Sequence, residues 1–175
     1  IFATLLEPGR TLALSDPGYP CYKNIALLTD CTIKPIEVSP ETNYEILPQY
    51  LDETPWPDLL VIANPSNPTG AVYRPETVIA LHQRMSVAGG LLVVDEIYSG
   101  LTYDIDFSSS ASISDDIVVV SGFSKAYAMT GWRLGWMIVP SDLVRPIQKL
   151  AQNLFIAPPS ISQYAALNAF DEKEE

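Results

Sequence analysis

Four short segments hold most of the side chains able to do chemistry: Asp16-Pro17-Gly18-Tyr19-Pro20, Asn64-Pro65-Ser66-Asn67-Pro68-Thr69-Gly70, Asp95-Glu96-Ile97-Tyr98 and Ser121-Gly122-Phe123-Ser124-Lys125. Between them they offer an amine, carboxylates, phenols, amides and hydroxyls, and Arg133 follows eight residues after Lys125. Each segment directly follows an apolar run. That combination is what a small-ligand site built on loops looks like, with the loops carried by a rigid scaffold.

The scaffold is legible in the alternation of apolar runs with stretches of helical period. Strands are expected at 11–15 (TLALS), 33–38 (IKPIEV), Leu59–Ala63 (LLVIA), Leu91–Asp95 (LLVVD), 117–121 (IVVVS) and 134–139 (LGWMIV). Helices are expected at 22–28, at 44–51, after Pro75 with Val78, Leu81 and Met85 at i, i+3, i+7, and at 144–154 and 161–170. The acidic run 171–175 reads as a fraying end. Strands apolar throughout, alternating with helices, predict one α/β domain with a mainly parallel sheet covered on both faces, a three-layer α/β/α sandwich. The short run at 133–139 follows a loop and is free to pair antiparallel. In such sheets ligands bind beyond the C-terminal ends of the strands, where the four segments fall.

Composition narrows the partners. The 175 residues carry 21 acidic and 10 basic side chains, a formal net charge of −11, which argues against nucleic acid or an anionic membrane surface. No apolar run approaches the roughly 18 residues a membrane span needs. Apolar residues make up 47% of the chain, enough for a substantial core. The 15 prolines fall singly or in pairs between apolar runs and so punctuate structure. Cys21 and Cys31 lack metal-site spacing and are too few for a disulfide scaffold. They read as free thiols in a reducing compartment, which points to the cytoplasm, and no metal site is expected. His82, alone within a helix, reads as structural. The N-terminus shows neither a start methionine nor a basic leader region, and it reads as a chain that begins in the middle of something.

Taken alone, LLVVDE at 91–96 has the form of the Mg²⁺-holding aspartate strand of nucleotide hydrolases. That chemistry also needs a GxxxxGK[ST] loop, and the sequence has none. Taken together, NPSNPTG at 64–70, VVDEIY at 93–98 and SGFSKAYAMTGWRLG at 121–135 resemble the pyridoxal-phosphate aminotransferases of class I/II, fold type I. Order and spacing agree as well: 28 residues from Asn67 to Asp95, 30 from Asp95 to Lys125, and eight from Lys125 to Arg133.

The resemblance implies a role for each residue. Lys125 forms the Schiff base with the cofactor aldehyde and, once released, acts as a base. Asp95 faces the pyridine nitrogen and favours its protonated form. Asn67 and Tyr98 hydrogen-bond the 3′ oxygen, and the Asn67–Pro68 bond is expected to be cis. Arg133 grips the phosphate with its planar fork. Tyr19 stacks on the ring. Family members often place a phosphate-binding serine three residues before the lysine; Gly122 stands there, so Ser124 or the Gly122 N–H is the expected substitute. Trp132 and Trp136 read as packing residues.

The resemblance also implies an amino-acid aminotransferase that works on an amino acid and a 2-oxo acid by a ping-pong route, and a homodimer. A C–S lyase or synthase on the same scaffold is the nearest alternative, and an aminotransferase-like effector domain of a transcription regulator is a second. Residues 1–175 match only the large, cofactor-binding domain; the upstream phosphate-loop segment and the C-terminal small domain, with its carboxylate-binding arginine, have no counterpart in them. The chain alone is therefore expected not to be fully active.

Overall fold

The computed structural model describes residues 1–52 and 55–171. Its centre is a six-stranded sheet formed by β1 (Thr11–Asp16), β2 (Thr32–Glu37), β3 (Leu59–Ala63), β4 (Leu91–Asp95), β5 (Val118–Gly122) and β6 (Gly135–Ile138), in the order β2-β1-β3-β4-β5-β6. β1 to β5 run parallel, and β6 pairs antiparallel with β5. The helices are α1 (Phe2–Leu5), α2 (Pro20–Ala26), α3 (Pro75–Val87), α4 (Ser141–Leu154) and α5 (Ser160–Asp171).

Alternation along each strand sorts the core into two layers. Leu60 and Ile62 of β3 join Leu92 and Val94 of β4 on one face, under Val78, Leu81 and Met85 of α3. Leu59, Val61 and Val93 face the other way and pack with Leu12, Leu14, Ala26 of α2 and Val118, with Leu143 of α4 against them. The predicted three-layer sandwich is therefore the observed one. β3 is buried along its whole length, as its unbroken apolar sequence requires of a strand covered on both faces. β2 lies at one edge, where Pro35 is tolerated because no outer neighbour needs its missing N–H.

Two expectations are corrected. Residues 44–51 do not form a helix: Asn43 and Tyr44 both take positive φ, and only a 3₁₀ turn, Pro48–Leu51, is present. Pro48 cannot supply an intrahelical N–H and disfavours helical backbone at the residue before it, so a helix started at Tyr44 could not continue. Ile46 and Leu51 are nevertheless buried, and this produced the misleading apolar pattern. The second correction concerns Trp132 and Trp136, which are 40% and 38% exposed rather than buried by packing, although one edge of Trp136 does meet the ring of Phe123 at 5.0 Å. The expected fraying end falls, from residue 172 on, outside the described residues.

Candidate active site

The strand register sets the floor of the site. Ala63 stands opposite Asp95 across β3 and β4, and the backbone continues the pairing one step further, the Asn64 N–H donating to the Asp95 carbonyl at 2.9 Å. The loops that leave β1, β3 and β4 therefore start at one level, and β5 runs two residues further before its own loop begins. They enclose a cavity of about 380 Å³ whose lining includes Tyr19, Asn67, Asp95, Tyr98, Ser124, Lys125 and Arg133. All seven predicted residues, drawn from four separate stretches of sequence, meet there.

The two asparagines of NPSNPTG do different work. Asn64 is 3% exposed, and its Oδ1 accepts the Tyr73 N–H at 2.9 Å, pinning the loop to the chain that enters α3. Asn67 instead faces the cavity and donates from Nδ2 to the Tyr98 hydroxyl at 3.4 Å. The Asn67–Pro68 peptide is cis, as expected, and so are Asp16–Pro17 and Asn64–Pro65.

The loop between β5 and β6 carries both cations. It is closed at its base by the Phe123 N–H donating to Leu134 at 3.2 Å, and inside by Ala128 N–H to Lys125 and Met129 N–H to Phe123. The Lys125 Nζ lies 5.8 Å from the centre of the Tyr98 ring. Arg133 adopts left-handed backbone, φ 53°, which for a side chain with a Cβ costs about 1 kcal/mol. Its guanidinium donates to the Thr130 carbonyl at 2.8 Å, and the Thr130 hydroxyl in turn donates to the Ser124 carbonyl. One short chain of bonds thus links the loop's two functional ends.

The pairing of β5 with β6 also accounts for Gly122. A Cβ added there would sit 3.0 Å from the Gly135 Cα and 3.0 Å from the Leu134 carbonyl oxygen, so the close approach of two backbones makes any side chain a tight fit. Ser121 is committed elsewhere, donating to the Glu96 carbonyl at 3.1 Å, while Ser124 lines the cavity.

Two residues were not singled out from sequence. Tyr22 lines the cavity and donates its hydroxyl to Asp95 Oδ2 at 2.6 Å. Burial, reinforced by the charge of Asp95, drives its phenol far above the usual tyrosine range, so it stays a donor. Its spacing of three from Tyr19 on a helix start was the available signal. Glu96 is 3% exposed and points away from the cavity; its carboxylate accepts the Ser109 hydroxyl at 2.7 Å and the Ser110 N–H at 2.6 Å. His82 lines a different cavity, with Gly89, Leu91 and Asp116 near the strands' N-terminal ends. Cys21 and Cys31 are both free. Among the described residues, none group as a metal site and no helix is long and apolar enough to cross a membrane.

Known proteins share both sequence and shape with this arrangement. The chain is 41% identical to the valine–pyruvate aminotransferase of Mycobacterium tuberculosis over 97% of its own length and 44% of that protein's. A crystal structure of an aminotransferase from Mycobacterium tuberculosis superposes with a TM-score of 0.93 at 41% identity, over 97% of this chain and 44% of that one. The aspartate aminotransferase of Thermus thermophilus with maleate gives 0.92 at 30% identity, over 99% and 46%. The chain thus spans a little under half the length of these relatives. The aminotransferase class I and II family matches all of residues 1–175, and the chain belongs to that family.

Proposed function

We propose that the chain is the cofactor-binding domain of an amino-acid aminotransferase that uses pyridoxal 5′-phosphate to move an amino group between an amino acid and a 2-oxo acid. The observation that carries this reading is the single cavity lined by an amine, a strand-end carboxylate, a phenol–amide pair and a guanidinium. That donor set fits the cofactor group by group. When bound, the cofactor supplies an aldehyde carbon open to an amine and a ring that withdraws electrons.

The chain's own residues do the rest. Lys125 presents its Nζ from a loop closed by internal hydrogen bonds; it offers the covalent attachment and later holds or returns a proton at that nitrogen. Asp95 presents its carboxylate at the end of β4, where it would face a ring nitrogen and favour a proton there. Asn67 and Tyr98, already in contact, would together hold the 3′ oxygen of the cofactor. Arg133 and Ser124, both lining the cavity, would offer donors for a phosphate. Tyr19, 42% exposed at the mouth, supplies a flat face and excludes water from the ring.

The coverage of relatives supports placing these residues in one part of a longer protein, with recognition of the substrate carboxylate and the rest of the phosphate site supplied elsewhere. A homodimer belongs to the same reading. The test is an absorbance spectrum of the full-length protein with pyridoxal phosphate, before and after addition of candidate amino acids. A band of lysine-bound cofactor is expected in the native protein and none in Lys125→Ala; a band that survives in the variant refutes the lysine assignment. Conversion of that band by one amino donor identifies the substrate class, and sedimentation of the same sample tests the dimer.

A further inference from the structure

Both oxygens of Asp95 are engaged from within the chain. The Ile97 N–H donates to Oδ1 at 3.1 Å, and the Tyr22 hydroxyl donates to Oδ2 at 2.6 Å. The first bond is local, two residues along the backbone. The second spans 73 residues and joins α2 to the end of β4. A carboxylate at a strand end can turn about both its side-chain torsions, and a donor on each oxygen fixes its plane. The 2.6 Å separation is that of a hydroxyl bonded to an ionised oxygen.

Tyr22 also touches Tyr19, ring centres 5.4 Å apart and planes at 81°, an edge-to-face contact. The backbone enforces this geometry: Tyr19 caps the N-terminus of α2, Pro20 begins the helix, and the Tyr22 N–H donates to the Tyr19 carbonyl at 3.2 Å. A cap residue and the third helical residue lie on the same side of a helix start.

Resting on the cofactor reading above, we propose that Tyr22 is a positioning residue that sets two walls of the site at once, the Asp95 carboxylate through its hydroxyl and the Tyr19 ring through its edge. The two parts separate by substitution. Tyr22→Phe keeps the ring and removes the hydroxyl; Tyr22→Leu removes both.

The experiment titrates the full-length apoprotein with pyridoxal phosphate and follows the absorbance and circular dichroism of the bound cofactor across pH. In Tyr22→Phe, affinity falls about tenfold, the size expected for a lost hydrogen bond to a charged group, and the pH response of the band moves. The dichroism keeps its amplitude, because the ring still holds Tyr19. In Tyr22→Leu, affinity falls at least as far and the dichroism drops to about half or less, the ring contact being the term removed. In an Asp95→Asn background, Tyr22→Phe has little further effect, since the charged acceptor is already gone. A Tyr22→Phe protein that binds within twofold of the native one, with an unmoved pH response, overturns the proposal, as does full additivity in the Asp95→Asn background. An unchanged dichroism in Tyr22→Leu overturns the Tyr19 half. If the native protein itself shows no lysine-bound band, the cofactor reading falls and the role of Tyr22 falls with it.

Discussion

Residue types decide what each position can do, and Gly122 shows this best. A serine there would supply the phosphate donor that the family resemblance implies, yet its Cβ would press on the backbone of Gly135 and Leu134 at 3.0 Å. Both neighbours are main-chain atoms of the β5–β6 pairing and cannot swing aside. Gly122→Ser is therefore expected to destabilise by about 1–2 kcal/mol through overpacking. Its cofactor affinity is expected to stay near that of the native protein, because Ser124 already lines the cavity. Chemical denaturation and cofactor titration of the variant check the two halves; a stable variant that binds more tightly would show that the strands can part.

At the scale of elements, the site depends on how loops are tied to the strands they leave. Glu96 adjoins the candidate Asp95 but works on the opposite side of the strand end, accepting from Ser109 and Ser110 to hold the connection between β4 and β5. Glu96→Ala leaves the buried Ser110 N–H without its acceptor and should cost about 2 kcal/mol in thermal or denaturant unfolding. A loss under half of that would mean that water or a neighbour readily replaces the carboxylate. A second tie joins β1 to β3 at the other end of the sheet, where Asp58 accepts from Arg10 at 2.6 Å and from the Thr11 N–H at 2.8 Å. Partial burial alone would raise the Asp58 carboxyl, but the Arg10 and Thr11 bonds outweigh it and hold it below its ordinary value. A lowered folded value means that the stabilisation is complete above the unfolded value and fades as pH falls through the folded one. Midpoints of thermal unfolding for native protein and Asp58→Asn should therefore differ at pH 6 and converge in acid, below the ordinary carboxylate value of about 3.9. A gap that persists undiminished at about pH 2 would assign the effect to something other than ionisation.

Across the whole molecule, the core is well enclosed while the last two helices are not. α4 buries none of its residues, and α5 turns Ala166 and Ser162 inward but leaves Ile161, Tyr164 and Leu167 more than 60% exposed. Together with coverage of less than half of each of these relatives, this is in keeping with the proposal of a cofactor-binding domain within a longer protein. The purified 175-residue chain should then show transaminase turnover orders of magnitude below that of the full-length protein, since binding energy for orienting the substrate is lost. Equal turnover by the two would sink that expectation.

What the sequence determined by itself was local and periodic. Apolar runs placed every strand to within two residues, most plainly β3, which is buried along its whole length, while β6 followed the same pattern although it is exposed; the motifs pointed to Lys125, Asp95, Asn67, Tyr98 and Arg133 as candidates, because their residue types and spacings suit one chemistry together. Where burial came without periodic structure, as at Ile46 and Leu51, the same signal misled, and positive φ at Asn43 and Tyr44 replaced the expected helix. Only the tertiary structure could bring Tyr22 to Asp95 across 73 residues, turn Glu96 away from its neighbour's cavity, and press Gly122 against Gly135. Those facts follow from strand register and backbone approach, which depend on how distant segments pack; the spacing of Tyr22 from Tyr19 marks a shared side of a helix start but not the partner 73 residues away.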